Sequence, residues 1–177
     1  MKRLLLVAFA VVLTSSLMFG QIAYKMGENN ASGFVGLGGL AGLYGTSTLP
    51  AIGGSYEVGY NENISIGGLA GISGSEQDLG FFGKFKYTYI IIGGRGLYHY
   101  DLMHNEKIDT YGGVMLGYNI VSSSYDGNYG SLYTASGSYL AYGGFIGGRY
   151  YFSPNLSAQA ELGYGLGLLS VGLSYKM

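Results

Sequence analysis

Beyond its first 20 residues the chain is dominated by a two-residue alternation, the period that puts one set of side chains on each face of a β-strand. From Leu156 to Tyr164, the residues Leu156, Ala158, Ala160, Leu162 and Tyr164 fall on one face, and Ser157, Gln159, Glu161 and Gly163 on the other. The final stretch repeats the pattern, with Leu169, Val171, Leu173, Tyr175 and Met177 opposite Ser170, Gly172, Ser174 and Lys176. One face is apolar, the other small and polar. A membrane-spanning helix needs about 20 apolar residues, and here the longest purely aliphatic run is Ile90 to Ile92.

Turn-forming residues divide this pattern into eight expected strands at 33–44, 51–60, 64–74, 84–101, 108–121, 138–152, 156–165 and 167–177. The turns Asn61 to Asn63, Leu102 to Lys107 and Ser153 to Asn155 then fall on one rim, and the links 45–50, 75–83, 122–137 and 165–167 on the other. Breaking the stretch 84–101 near Thr88 would give nine strands. That count puts the 16-residue Ser/Tyr/Gly segment 122–137 on the short-turn rim, and it separates the two termini. An even count returns them to one side, with the fourth strand long enough to project past a membrane. Ser122 to Gly130 is rich in turn formers, and an exposed loop is expected there. Three turns share a form, because Tyr60-Asn61, His99-Tyr100-Asp101 and Tyr151-Phe152-Ser153 each end a strand in aromatic before polar residues.

The N-terminus reads differently. Lys2 and Arg3 precede an apolar run from Leu4 to Leu13, and Thr14, Ser15 and Ser16 lead to small and polar residues around Gly20 and Gln21. This is the pattern of a cleaved secretory signal peptide, too short for a spanning helix before Lys25 to Glu28 resume the charges. The expected organisation is a signal at 1–20, a short segment at 21–32 and one barrel domain at 33–177. Cleavage removes two of the 9 basic residues and none of the 10 acidic ones, so the exported chain carries a net charge of 7 − 10 = −3.

Composition decides which way the faces point. Charged residues make up 11% of the chain, against about 25% in an ordinary soluble domain. A soluble barrel needs charges on its outer face, yet the polar face here is mostly Gly, Ser and Ala, which suits a crowded narrow lumen. An all-β fold follows, an eight-stranded antiparallel transmembrane β-barrel of up-and-down topology with its apolar face toward lipid and an interior just wide enough for side chains to fill. The 19 tyrosines support this orientation by their placement. Tyr60, Tyr98, Tyr100, Tyr150 and Tyr175 lie toward one rim and Tyr118 and Tyr142 toward the other, as aromatic girdles do at the two membrane interfaces. The same parity sends Glu57, Arg95, Arg149 and Glu161 inward, two charges of each sign in the short-turn half of the cylinder. A buried charge is costly alone, so a paired network that plugs the lumen is expected, with Arg149 and Glu161 as diagonal neighbours. Lumen water around unpaired charges is the alternative.

The run Ala160-Glu161-Leu162-Gly163-Tyr164-Gly165, its continuation Val171 to Met177, and Tyr111 to Asn119 together resemble the small OmpX/OmpA-like outer-membrane β-barrel proteins of Gram-negative bacteria, in their Bacteroidetes form. The resemblance covers roughly residues 30–177. It implies an integral outer-membrane protein in contact with lipid and lipopolysaccharide, inserted by the barrel-assembly machinery and monomeric. The family's assembly signal is a last strand with polar, glycine and aromatic residues at fixed steps. Ser170, Gly172 and Tyr175 fit it, while Met177 stands where the family ends in an aromatic residue.

Candidate chemistry is sparse. No cysteine is present, which excludes a disulfide scaffold, a thiol nucleophile and a lipidated cysteine. The low net charge gives nucleic acid no electrostatic footprint. Of two histidines, His104 sits in a turn with Asn105 and Glu106, and His99 points into the barrel near its rim. Some outer-membrane barrels are lipid-modifying hydrolases with a histidine-activated serine, but no serine lies two residues from His99, and those enzymes put the nucleophile on the lipid face. Asp126 and Asn128 are too few oxygen ligands for calcium, and no helix follows the glycine strings 36–39 and 143–148 to bind phosphate. Neither catalytic residue, cofactor nor metal is expected. The role expected is structural or surface-interacting, through the loops 45–50, 75–83 and 122–137. A narrow solute conduit is the alternative, and a secreted soluble barrel with an apolar ligand a more distant one.

Overall fold

A computed structural model describes residues 23–38, 46–80, 83–126, 134–164 and 166–177. The signal expected at 1–20 lies outside the described residues. Eight strands run in chain order as β1 (Asn29–Leu37), β2 (Thr46–Gly59), β3 (Ile64–Asp78), β4 (Lys84–His99), β5 (Ile108–Asp126), β6 (Thr134–Tyr151), β7 (Leu156–Gly163) and β8 (Leu169–Lys176). Each pairs antiparallel with the next, and β1 pairs with β8 (Ala31 opposite Tyr175, Phe34 opposite Gly172), so the sheet closes into a barrel. Where all eight strands overlap, closure leaves no unpaired edge.

Burial alternates along the strands through the part of the barrel they share and lapses at the projecting ends, where residues 47–50 of β2 and 136–140 of β6 are all exposed. On β4, Tyr89, Ile91, Arg95, Leu97 and His99 are buried inside, while Ile90, Ile92 and Tyr98 stand exposed outside. Local side chains make the short-turn rim. The Asn61 carboxamide oxygen accepts the N–H groups of Asn63 (2.9 Å) and Ile64 (2.7 Å). Asp101 accepts from His104 (2.7 Å), which sits at φ 50°, and the Ser153 hydroxyl accepts from Leu156 (3.0 Å). Each is a side chain mimicking a backbone turn.

At the opposite rim the strands run further than composition suggests. β3, β4, β5 and β6 hold 15, 16, 19 and 18 residues, against 8, 8 and 9 in β7, β8 and β1. Crossing a bilayer takes about 9–11, so these four strands form a wall that stands out on one side. The expected loops 45–50, 75–83 and 122–137 are therefore strand at 46–50, 75–78, 122–126 and 134–137, and residues 45, 81–82 and 127–133 lie outside the described residues. Two physical reasons account for the difference. Pro50 reads as a break, but register shifts between Ser47 and Ile52 mark bulges that carry β2 past it. Ser122 to Asp126 reads as turn-forming, yet it completes a ladder with β4, in which Tyr87 faces Ser123 and the Phe85 and Tyr125 rings lie 5.0 Å apart. At the other end β1 begins at Asn29 rather than 33, because Asn29 and Asn30 pair with Val58 and Glu57 of β2.

Candidate functional site in the barrel lumen

Inward-facing positions fill the cylinder in two layers. Toward the long-loop end, Leu69, Ile91, Met115, Ala141 and Phe145 pack with Leu97 and Tyr111, and Leu166 from the β7–β8 connection packs onto them. Between Ser73, Tyr89, Ile91, Asn119 and Leu166 a cavity of only about 10 Å³ is left. Glycines make room for these rings in so narrow a cylinder: a Cβ at Gly147 would come within 2.8 Å of the Tyr111 ring, and one at Gly113 would run into the Phe145 ring.

The second layer, toward the short-turn end, is charged. Arg149 of β6 reaches across to Glu57 of β2 (Nη2 to Oε2, 2.5 Å) and to Asp109 of β5 (Nη1 to Oδ2, 3.3 Å). Arg95 of β4 lies 3.1 Å from the other oxygen of Glu57 and 2.5 Å from Glu161 of β7. Glu57 therefore bridges the two guanidiniums. All of these groups are nearly fully buried, at 1% exposure for Glu57, Asp109 and Arg149 and 4% for Arg95. Neutral donors and acceptors complete the set. Tyr111 donates to Glu161 (2.9 Å), and Gln159 accepts from Arg149 (3.2 Å) and donates to Glu161 (2.9 Å). The guanidinium faces lie on rings, Arg95 over Phe145 at 4.5 Å and Arg149 over Tyr111 at 4.8 Å, which offsets part of their desolvation.

The four charges expected inside the barrel are thus brought into one connected array. The pairing is not the diagonal one, since Arg149 reaches Glu161 through Gln159 and, on another route, through Glu57 and Arg95. Asp109 belongs to the array although the sequence pattern had not marked it. Its position two residues before Tyr111, on the face opposite Val114, Leu116 and Tyr118, carried the signal for it.

From Asp109 the array continues to the mouth of the barrel. The Asp109 carboxylate accepts from His99 Nδ1 (2.7 Å), and His99 Nε2 lies 2.9 Å from the Ser65 hydroxyl. Serine, imidazole and carboxylate stand in the order of a hydrolase triad. The backbone groups around Ser65 are engaged in pairing with β2 and β4, however, and its side chain is enclosed, so no pair of donors faces a reacting oxygen there. The two contacts hold the imidazole between Asp109 and Ser65. Tyr24, from the segment before β1, stacks on it with ring centroids 3.8 Å apart and planes 3° from parallel. Burial, with the carboxylates of Asp109, Glu28 and Glu57 behind it, pushes the Tyr24 hydroxyl up to about 12.

On the outside, the girdle tyrosines Tyr60, Tyr98, Tyr100, Tyr118, Tyr142, Tyr150 and Tyr175 are all exposed, reaching 77% at Tyr142. Val114, Leu116, Ile146, Leu162, Val171 and Leu173 form the apolar wall between them. A band of exposed apolar residues around a charged, buried lumen inverts the arrangement of a soluble protein. In the last strand Ser170 is buried inside, Gly172 lies against Gly33 and Phe34 where no side chain fits, and Tyr175 and Met177 face outward. His104 is a half-buried turn residue and Asp126 ends β5, whereas Asn128 lies outside the described residues. Among the described residues no three His, Asp or Glu side chains are grouped to hold a metal ion.

No family model and no curated relative matches the chain. Solved structures do. The N-terminal β-barrel domain of Pseudomonas aeruginosa OprF superposes with a TM-score of 0.60 at 15% identity, covering 87% of this chain and 100% of that one. The fold is that of the eight-stranded outer-membrane barrels. A major outer membrane protein of Thermus thermophilus matches with a TM-score of 0.62 at 15% identity, over 85% of this chain and 99% of that one. The attachment invasion locus protein Ail of Yersinia pestis, solved with the heparin analogue sucrose octasulfate, matches at 0.56 and 14%, over 86% and 99%.

Proposed function

We propose that the protein is an integral outer-membrane β-barrel with a structural or surface-interaction role and a closed lumen. The observation that carries the reading is the bridging of Arg95 and Arg149 by Glu57 inside a wall whose exposed face is apolar. Two guanidiniums and three carboxylates locked to one another, beneath a packed apolar layer, leave a solute no continuous polar path, which favours a plug over the narrow-conduit alternative. A soluble barrel would place these charges outside. The Ser65–His99–Asp109 relay serves on this reading to position groups rather than to catalyse. The Bacteroidetes form of the superfamily rests on the resemblance of β5, β7 and β8, and contact with lipopolysaccharide, insertion by the assembly machinery and a monomeric state go with it.

Any outside partner would meet the projecting wall of β3 to β6. Among the described side chains its tip carries Glu76, Asp78, Lys84 and Lys86, and Lys84 is already held by Glu76 (2.7 Å) and Asp78 (3.4 Å). That balance supports an uncharged or protein partner over a sulfated sugar of the kind bound to Ail. Three measurements test the reading together. The protein should fractionate with the outer membrane, migrate differently on a denaturing gel before and after boiling, and give no steady conductance in planar bilayers. Recovery in an aqueous fraction, or a stable open-channel current, would refute it.

A further inference from the structure

The residues before β1 do more than lead into the barrel. Tyr24 is 4% exposed although it belongs to no strand, and its hydroxyl lies 2.7 Å from the Ile64 carbonyl and 3.0 Å from that of Asn61. Its ring covers His99, which is 0% exposed. The segment is tied across the mouth at several points. Gly27 N–H donates to the Gly59 carbonyl (3.0 Å) and Gly59 N–H to that of Glu28 (2.8 Å), while Lys176 pairs with Glu28 (3.3 Å) and donates to the Ala23 carbonyl (3.4 Å). Gly59 forms a cradle for it: a Cβ there would lie 2.9 Å from both the Lys25 carbonyl and the Tyr24 hydroxyl. Yet the barrel closes without this segment. The β1–β8 ladder starts at Asn30 opposite Lys176, and the β1–β2 ladder at Asn29 opposite Val58. A piece of chain that is seated through two buried residues, Ala23 and Tyr24, and lies outside the sheet can leave while the sheet stays intact.

We propose that residues 23–28 are a withdrawable closure of the short-turn mouth, with Tyr24 as the stopper that separates His99, and the ion-pair array behind it, from the aqueous phase. Closed, the mouth presents the outer surface of a stacked tyrosine. Open, it presents an imidazole hydrogen-bonded to Asp109 and Ser65, with Arg149 next in line. The inference goes beyond the plugged-barrel reading and rests on it only in treating the short-turn end as water-facing.

The chain has two histidines, so the closure can be read from their acylation. The folded mature protein in detergent micelles is treated with diethyl pyrocarbonate at neutral pH, and adducts at His99 and His104 are followed by mass spectrometry. In the unaltered protein His104 should react and His99 should lag it at least tenfold. Tyr24→Ala removes the stopper, and Gly59→Ala pushes a methyl against the Lys25 carbonyl and the Tyr24 hydroxyl while residue 24 stays a tyrosine, and in each His99 should react at least tenfold faster than in the parent. Tyr24→Phe keeps the stack and should stay slow. Heat-shifted mobility, checked on every variant, reports whether the barrel is intact. If His99 stays unreactive in both alanine variants with the barrel intact, or reacts as fast as His104 in the parent, the segment is not the closure. If both alanine variants lose the folded form, the segment is part of the barrel and not withdrawable. None of these outcomes bears on membrane fractionation or conductance, so failure here is distinguishable from failure of the plugged-barrel reading.

Discussion

Replacing Arg149 by methionine keeps much of the side-chain bulk and removes the guanidinium that Glu57 and Asp109 share. Before the change, three carboxylates face two guanidiniums and His99. Afterwards Glu57 keeps Arg95 at 3.1 Å and the Ser55 hydroxyl at 3.3 Å, and Asp109 keeps His99 at 2.7 Å. Removing one partner of a buried pair costs about 3–5 kcal/mol, because the remaining charge stays desolvated. At about 1.4 kcal/mol per factor of ten, Arg149→Met should lower the folding equilibrium constant by roughly two to three and a half powers of ten. Glu57→Gln should be milder, because it leaves two guanidiniums facing Asp109 and Glu161. The double variant removes one charge of each sign, and coupling between the two sites should reach about 1–3 kcal/mol, as for residues in direct contact. Coupling between Arg149 and Glu161, which are joined through intermediaries such as Gln159, should be smaller. The assay is the urea dependence of folding into phospholipid vesicles, read by the fraction of heat-shifted band. An Arg149→Met variant within about 1 kcal/mol of the parent, or no coupling to Glu57, would refute the claim that this pair holds the lumen together.

The outer wall should be sensitive by depth. Ile146→Lys, midway between the girdle tyrosines Tyr142 and Tyr150 on the exposed face of β6, should cost about 2–4 kcal/mol, and Tyr175→Lys at the rim about 0–1; equal costs in the same vesicle assay would contradict the placing of the girdle. Gly113→Ala drives a methyl into the Phe145 ring and should destabilise by about 1–3 kcal/mol as overpacking does, with Phe145→Leu recovering part of the loss. A Gly113→Ala penalty unchanged by Phe145→Leu would mean that the ring is not what excludes the methyl. Raising pH should loosen the mouth. The Tyr24 hydroxyl is held up near 12 by burial and nearby carboxylates, above its ordinary value of 10, so the stability it contributes is complete below about 10 and is lost as pH rises toward 12. Tyrosine ring-carbon NMR across that range should show, among the buried tyrosines that titrate late, a signal that is missing in Tyr24→Phe; a Tyr24 signal titrating with the exposed tyrosines would show that the hydroxyl is not enclosed.

Part of the candidate site was legible without coordinates. Glu57, Arg95, Arg149, Glu161 and His99 each have alternating neighbours that set their parity, and Asp109 could have been added from Tyr111 and Val114 by the same rule. Tyr24 could not. It lies in a stretch without alternation, and nothing in Ala23 to Glu28 says that its ring ends 3.8 Å from an imidazole 75 positions later.

By itself the sequence determined the eight-strand count, the outward apolar face and the inward set of charges. These depend on a period of two and on turn residues, and both are local properties of the chain. Tertiary structure decided how far the strands run and which charges meet. β5 continues through Ser122 to Asp126 only because β4 offers paired backbone along that length, and β2 passes Pro50 only through bulges against β3. Arg149 finds Glu57, 92 residues away, because closing the sheet brings β2 and β6 to opposite sides of one narrow lumen. Alternation tells each side chain which face to take, but the partner it meets across a barrel is set by strand register and curvature, which no single strand encodes.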